Sequence, residues 1–201
     1  MAMAGGTKSV TAPPGRLIVF SGPSGAGKTT VVRELMVRCP LPLVLSVSAT
    51  TRPARPGEVD GVDYHFLSAD EFQRRRELGD FLECFEVFGR GYWYGTLRST
   101  VTENLQQGKW IVLEIDVHGM RQVQAAYPEV TTFFIRPASL AELERRLRGR
   151  GTESEQTIQR RLEVARQECE SEPEYDHVIV NQTVPQAVAD ICERLKSLAE
   201  V

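Results

Sequence analysis

The sequence predicts an α/β fold in which a parallel sheet is covered by helices on both faces, and three observations carry that reading. Short apolar runs alternate with helical stretches in the order strand, crossover, strand, which specifies parallel pairing. The first run ends in a glycine-rich loop that opens a helix, at the carboxyl edge where such sheets take ligands. The chain has 201 residues, 41% of them hydrophobic and 25% charged, so it can bury the core of one enzyme-sized domain.

The opening residues, Met1 to Gly15, lack the apolar centre of a secretory signal and read as a disordered leader rich in Ala, Gly, Thr and Pro. Leu17-Ile18-Val19-Phe20 is the first strand, and Thr29 to Arg38 carries Val32, Leu35 and Met36 at helical spacing. Between them Gly22-Pro23-Ser24-Gly25-Ala26-Gly27-Lys28-Thr29 fills the pattern G-x-x-x-x-G-K-[ST]. Glycines let backbone N–H groups turn around a phosphate, and the helix start adds unpaired N–H groups and the positive end of its dipole. Lys28 supplies a mobile charge for β and γ phosphates, and the Thr29 hydroxyl is suited to Mg²⁺. The plainer alternative is a glycine turn capping a helix, which does not require the Gly-Lys-Thr order.

Cys39-Pro40-Leu41-Pro42 ends that helix, and Leu43 to Val47 reads as the second strand. Ser46 to Glu58 reads as a loop dense in hydroxyls, with Arg52 and Arg55 three apart between prolines. Two guanidinium forks held together repel unless an anion lies between them, and phosphate suits such a pair; the alternative is a solvated basic loop. Tyr64-His65-Phe66 is a short strand, and the capping box Ser68 to Glu71 opens a helix ending near Gly79. Phe81 to Phe88, the Gly89-Arg90-Gly91 turn and Tyr92 to Thr96 complete a small mixed insertion of antiparallel strands beside one helix. Glu83 and Glu86 fall on opposite strand faces, so one at most enters a shared cleft.

A helix ending at Gly108 leads into Trp110 to Asp116, an apolar strand whose Glu114 and Asp116 share one face and could help hold a metal beside the phosphate loop. A helix cap is the alternative for Asp116. Asp116-Val117-His118-Gly119 also fits the D-x-x-G of GTP switches, but Asn181-Gln182-Thr183-Val184 offers no N-K-x-D partner. Thr131 to Ile135 is the next strand, and Ser139 to Glu142 caps a helix. Gly149 and Gly151 then separate it from a long helix opened by a capping box at Thr152 to Glu155, two helices joined by a hinge. Glu142 with Arg146 and Glu144 with Arg148 make i,i+4 pairs, which leaves Arg150 and Arg161 for a phosphate-closing role. His177 to Asn181 is the last strand and Pro185 to Leu198 the closing helix.

Composition excludes several classes. The net charge of −3 provides no global basic field for nucleic acid or an anionic membrane. Cys39, Cys84, Cys169 and Cys192 form no C-x-x-C pair and His65, His118 and His177 lie near none of them, so reduced thiols in a cytoplasmic protein are expected. No apolar run approaches the ~20 residues of a membrane span.

From Arg16 to Leu198 the chain resembles the nucleoside monophosphate kinases, and among them the guanylate kinases. The glycine loop alone says only P-loop NTPase. Ser46-Val-Ser-Ala-Thr-Thr-Arg-Pro-Ala-Arg-Pro-Gly-Glu58, Gly61-Val-Asp-Tyr-His-Phe66, Gly149-Arg-Gly-Thr-Glu153 and Val178-Ile-Val-Asn181 are more selective. The resemblance implies Mg²⁺- and ATP-dependent phosphorylation of GMP to GDP by a monomer or homodimer. Its parts would be a core (16–47, 97–138 and 170–201), a GMP-binding region (48–96) and a lid (139–169). It assigns Lys28, Arg146, Arg150 and Arg161 to the transferring phosphoryl, and the loop from Gly22 to Thr30 with Asn181 to ATP. Individually the loop positions are Gly22, Pro23, Ser24, Gly25, Ala26, Gly27, Lys28, Thr29 and Thr30. Arg52, Arg55, Tyr64 and Tyr94 would hold the GMP phosphate; Ser48, Glu83, Thr96 and Asp116 would read guanine, and Glu114 would be a further GMP-binding residue. The chain departs from the family at Cys84, where Trp is usual, and in a turn from Gly89 to Trp93 that is about two residues longer. Two other readings follow from the same residues: a guanylate-kinase-like module that only binds protein partners, and a kinase for another small phosphorylated acceptor.

Overall fold

The computed structural model describes residues 15–87, 91–149 and 154–200. Strands β1 (Arg16–Ser21), β2 (Leu43–Leu45), β7 (Trp110–Glu114), β8 (Thr131–Pro137) and β9 (His177–Asn181) form one parallel sheet in the order β2-β7-β1-β8-β9. Side chains alternate across a strand, and here both faces are apolar. Ile18 and Phe20 of β1, with Val112 and Phe133, pack on α1 (Lys28–Arg38) and α7 (Val184–Ala199) through Val32, Leu35 and Ile191. Leu17 and Val19, with Ile111 and Phe134, face α3 (Arg98–Gln106) and α4 (Val117–Ala126) through Val101, Met120 and Val123. Helices therefore cover both faces, as the run of apolar strands predicts. β1 lies at the centre and delivers the glycine loop to the carboxyl edge.

A second sheet, β4-β3-β6-β5, is built from β3 (Ala49–Thr50), β4 (His65–Phe66), β5 (Phe81–Val87) and β6 (Tyr92–Leu97). Its β5-β6 and β3-β6 pairs are antiparallel but β3-β4 is parallel, so the expectation of purely antiparallel strands is corrected. Ala49–Thr50 also lies inside the stretch read as a loop. Two residues are too few for a periodic signal, and their ladder exists only because β6 and β4 are brought to either side. One face of this sheet packs Trp93 and Cys84 on Phe72 of α2 (Ala69–Glu77), with Phe72 and Phe81 stacked at 4.3 Å. The opposite face is left for polar work.

Helices α5 (Leu140–Arg148) and α6 (Glu155–Cys169) share a small core of Leu143, Leu147, Ile158, Leu162 and Ala165. Ser68 and Ser139 cap α2 and α5 as expected, accepting from the Glu71 and Glu142 amides. The cap of α6 is Ser154, which accepts from Thr157 N, and not Thr152. Glu155 is drawn instead into an ion pair with Arg148. Strand β7 stops at Glu114; Asp116 leaves the ladder to cap α4, accepting from Gly119 N at 2.8 Å, so the two carboxylates do not share a strand face. The leader up to residue 14, the Gly89-Arg90 part of the turn, Arg150, Gly151 and Thr152 lie outside the described residues. Cys39 and Cys192 are free thiols with their sulfurs 3.1 Å apart, bringing the end of α1 against α7.

Candidate active site

The loop after β1 takes its shape from two glycines in particular. Gly27 sits at φ +88 as the residue before α1, and Gly22, at φ +140, lies so close to β8 that a Cβ would be 1.9 Å from the Ile135 carbonyl oxygen. Ala26 N donates to Pro23 O at 3.1 Å, closing the loop on itself. Asn181 and Arg146 brace it from behind: Asn181 Nδ2 donates to Ala26 O at 2.7 Å, while Arg146 donates to Ala26 O at 3.3 Å and Asn181 O at 3.0 Å. Asn181 is 3% exposed, buried against the loop.

Lys28 folds back over the loop, its Nζ donating to Gly22 O at 2.7 Å and Pro23 O at 3.2 Å. Burial pushes its pKa down, against the pull of Glu114, Glu168 and Asp116. Thr29 and Thr30 are exposed at the helix start, and Thr29 Oγ1 donates to Glu114 Oε1 at 2.6 Å. Glu114, grouped by resemblance with the GMP residues, thus stands on the Thr29 side. Thr29 and Glu114 supply hard oxygen donors without forming a cage, which suits a Mg²⁺ that keeps waters and substrate phosphates as its other ligands. Among the described residues no group of three or more His, Cys, Asp or Glu is gathered for a metal ion. From α6, Arg161 Nη2 donates to Ser24 Oγ at 2.8 Å.

On the polar face of the second sheet, β5 and β6 put Glu83 opposite Thr96 and Phe85 opposite Tyr94. Arg52, 9% exposed, donates from Nε to Tyr94 Oη at 3.2 Å and lies over the Tyr64 ring at 5.3 Å, and Tyr64 meets Tyr94 edge-on. Arg55 is exposed at the rim. The anion between these arginines is already present in the chain: Glu58 takes both Arg52 terminal nitrogens at 2.9 Å and the Arg55 backbone N–H at 2.7 Å. The bond to Arg52 holds its carboxyl below the usual range. Sequence reasoning passed over Glu58, although it closes the selective segment quoted above.

Glu83 is 2% exposed. Its Oε1 accepts from Thr96 Oγ1 at 2.6 Å, and its Oε2 is buried with no donor. Burial raises the carboxyl to about 7, with Thr96 pulling it down and Asp116 pushing it further up. Asp116 is also raised by burial, opposed by the Gly119 amide. Gly119 permits this closeness, since a Cβ there would be 2.8 Å from Glu83 Oε2. Ser48 is half-buried beside the same sheet, its carbonyl accepting from His65 N at 2.9 Å. The β5-β6 ladder pairs Tyr94 with Phe85 and Thr96 with Glu83, next to a register shift between Phe81 and Glu83. Glu86 is exposed.

The guanylate kinase family profile matches residues 14–198. The chain is 55% identical over 186 residues to the guanylate kinase of Rhodopirellula baltica, covering 92% of this chain and 89% of that one. It is 49% identical over 180 residues to that of Thermosynechococcus vestitus, covering 90% and 93%. The crystal structure of guanylate kinase from Anaplasma phagocytophilum superposes with a TM-score of 0.76 at 34% identity, over 92% of this chain and 86% of that one. Loop, polar second sheet and these likenesses over nearly the whole chain agree: the chain belongs to the guanylate kinase family.

Proposed function

We propose that this protein transfers the γ-phosphoryl group of ATP to the phosphate of GMP, giving ADP and GDP. One observation carries the assignment of the acceptor: in a chain of this family, a buried carboxylate oxygen on Glu83 has no donor. Guanine offers N1–H and a 2-amino group side by side, two donors for one carboxylate; adenine would leave it unpaired. Glu83 and Thr96 read that edge, with Ser48 and Asp116 beside them. Arg52, Tyr64, Tyr94 and Arg55 hold the GMP phosphate, and Glu58 gives up part of its hold on Arg52 to do so.

The loop from Gly22 to Thr30 binds the ATP phosphates with backbone N–H groups and the α1 dipole. Lys28 leaves the Gly22 and Pro23 carbonyls and turns its ammonium to the phosphates; Arg146 and Arg161 add charge, and Arg150 belongs to the same set by resemblance alone. Phosphoryl transfer needs reactants aligned and spreading negative charge neutralised, and fixed cations do both with no phosphorylated protein intermediate. Thr29 with Glu114 would hold Mg²⁺, which when bound neutralises phosphate charge. Among the described residues no helix is long and apolar enough to cross a membrane. The module that only binds proteins is disfavoured by an intact Gly27-Lys28-Thr29. Steady-state turnover with ATP and GMP, read as equal formation of ADP and GDP, tests the proposal; binding of both nucleotides without product would replace it with the module.

A further inference from the structure

Helix α6 meets the glycine loop twice at one residue. Arg161 donates to the Ser24 hydroxyl, and two turns further along the same face Glu168 Oε2 accepts from Ser24 N at 3.3 Å. No sequence motif points to Glu168. A half-buried carboxylate has thus taken an N–H of a loop whose amides serve phosphate, within the field of the Lys28 ammonium. Burial raises the Glu168 carboxyl, and Lys28 with the Ser24 amide pulls it back.

We propose that Glu168 is a positioning residue that competes with nucleotide phosphate for the Ser24 amide, holding α6 on the loop through Ser24 and withdrawing when nucleotide phosphate arrives. The inference rests on the reading of this loop as the ATP site. A carboxylate and a phosphate are both anionic acceptors; beside each other in a partly dry site they repel, and one N–H cannot serve both well. ATP affinity is therefore the loop's grip on phosphate less the cost of expelling Glu168. Glu168→Gln keeps the shape and an oxygen for Ser24 N–H but removes the charge.

The test is titration of the full-length protein with ADP, together with KM for ATP and GMP, in wild type, Glu168→Gln and Lys28→Ala. Glu168→Gln should bind ADP about three- to tenfold more tightly and lower KM for ATP by a similar factor, the size of a charge contact in a half-buried site. KM for GMP should stay unchanged, which also reports that the variant is folded. A brace that only stabilises the loop would weaken ADP binding when altered. Unchanged or weaker ADP binding by Glu168→Gln, with Lys28→Ala clearly weakened, overturns the role of Glu168. Undiminished binding by Lys28→Ala overturns the loop reading itself.

Discussion

Replacing Glu83 by Gln separates recognition of guanine from general handling of a monophosphate. The carboxylate accepts the Thr96 hydroxyl on Oε1 and keeps Oε2 open, whereas an amide at that position turns one acceptor into a donor aimed at the guanine donors. Losing one such bond and stranding its partners costs about 1–3 kcal/mol, or about 5- to 150-fold in kcat/KM for GMP. AMP presents no matching donors, so its kcat/KM should change little and the preference for GMP should narrow. With its carboxyl near 7, Glu83 is half protonated at neutral pH, and only the ionised form can accept both guanine donors. Between pH 8 and pH 6 this one group should weaken GMP binding by about tenfold, a component absent from Glu83→Gln. The GMP phosphate also titrates near pH 6, in wild type and variant alike, so the difference between the two profiles isolates Glu83. Folding carries the same signature. Because the folded carboxyl is raised from 4.5 to about 7, its contribution to stability is present below pH 4.5 and is lost as pH rises through 7, by about 3 kcal/mol. The stability of Glu83→Gln relative to wild type should therefore improve from pH 5 to pH 8. GMP calorimetry and thermal melts at three pH values read both effects. An unchanged GMP-to-AMP ratio, or identical pH slopes in the two proteins, would refute the assignment.

Lys28→Ala should lose several orders of magnitude in kcat while GMP binding changes little, because the acceptor groups sit on the other sheet; near-normal turnover would contradict it. Gly22→Ala would press a Cβ to 1.9 Å from the Ile135 carbonyl at φ +140, so a loss of about 3 kcal/mol or more in stability is expected by denaturant titration. Gly119→Ala puts a methyl 2.8 Å from Glu83 Oε2. The carboxylate must shift, so kcat/KM for GMP should fall roughly tenfold with KM for ATP unmoved, and equal changes in both would place the fault elsewhere.

Much of this was legible in the residues, for reasons that differ by element. The core strands announce themselves because both faces are buried, so Leu17 to Phe20 and Trp110 to Leu113 are apolar throughout. The glycine loop is legible because its chemistry dictates residue types at fixed spacing. Local caps at Ser68 and Ser139 were equally direct. Asp116 was harder: a carboxylate ending a strand and one capping the next helix have the same sequence, and only the bond to Gly119 N decides. Ala49–Thr50 could not be seen as a strand, since its partners come from distant chain. Glu58 and Glu168 were overlooked because each acts through a contact that folding creates, one with Arg52 and the other across 144 positions with Ser24. The bonding of Arg146 to the Ala26 carbonyl of the loop and the Asn181 carbonyl of β9 likewise depends on α5 reaching both.

The most direct test is the initial rate of ATP-dependent phosphorylation across GMP, AMP, CMP and UMP at pH 8, where Glu83 is ionised. GMP should exceed the others in kcat/KM by ~10⁴, as expected where a buried polar group is stranded by the wrong base. Comparable rates with AMP, or turnover of none of the four, would contradict a site built around Glu83 and the glycine loop.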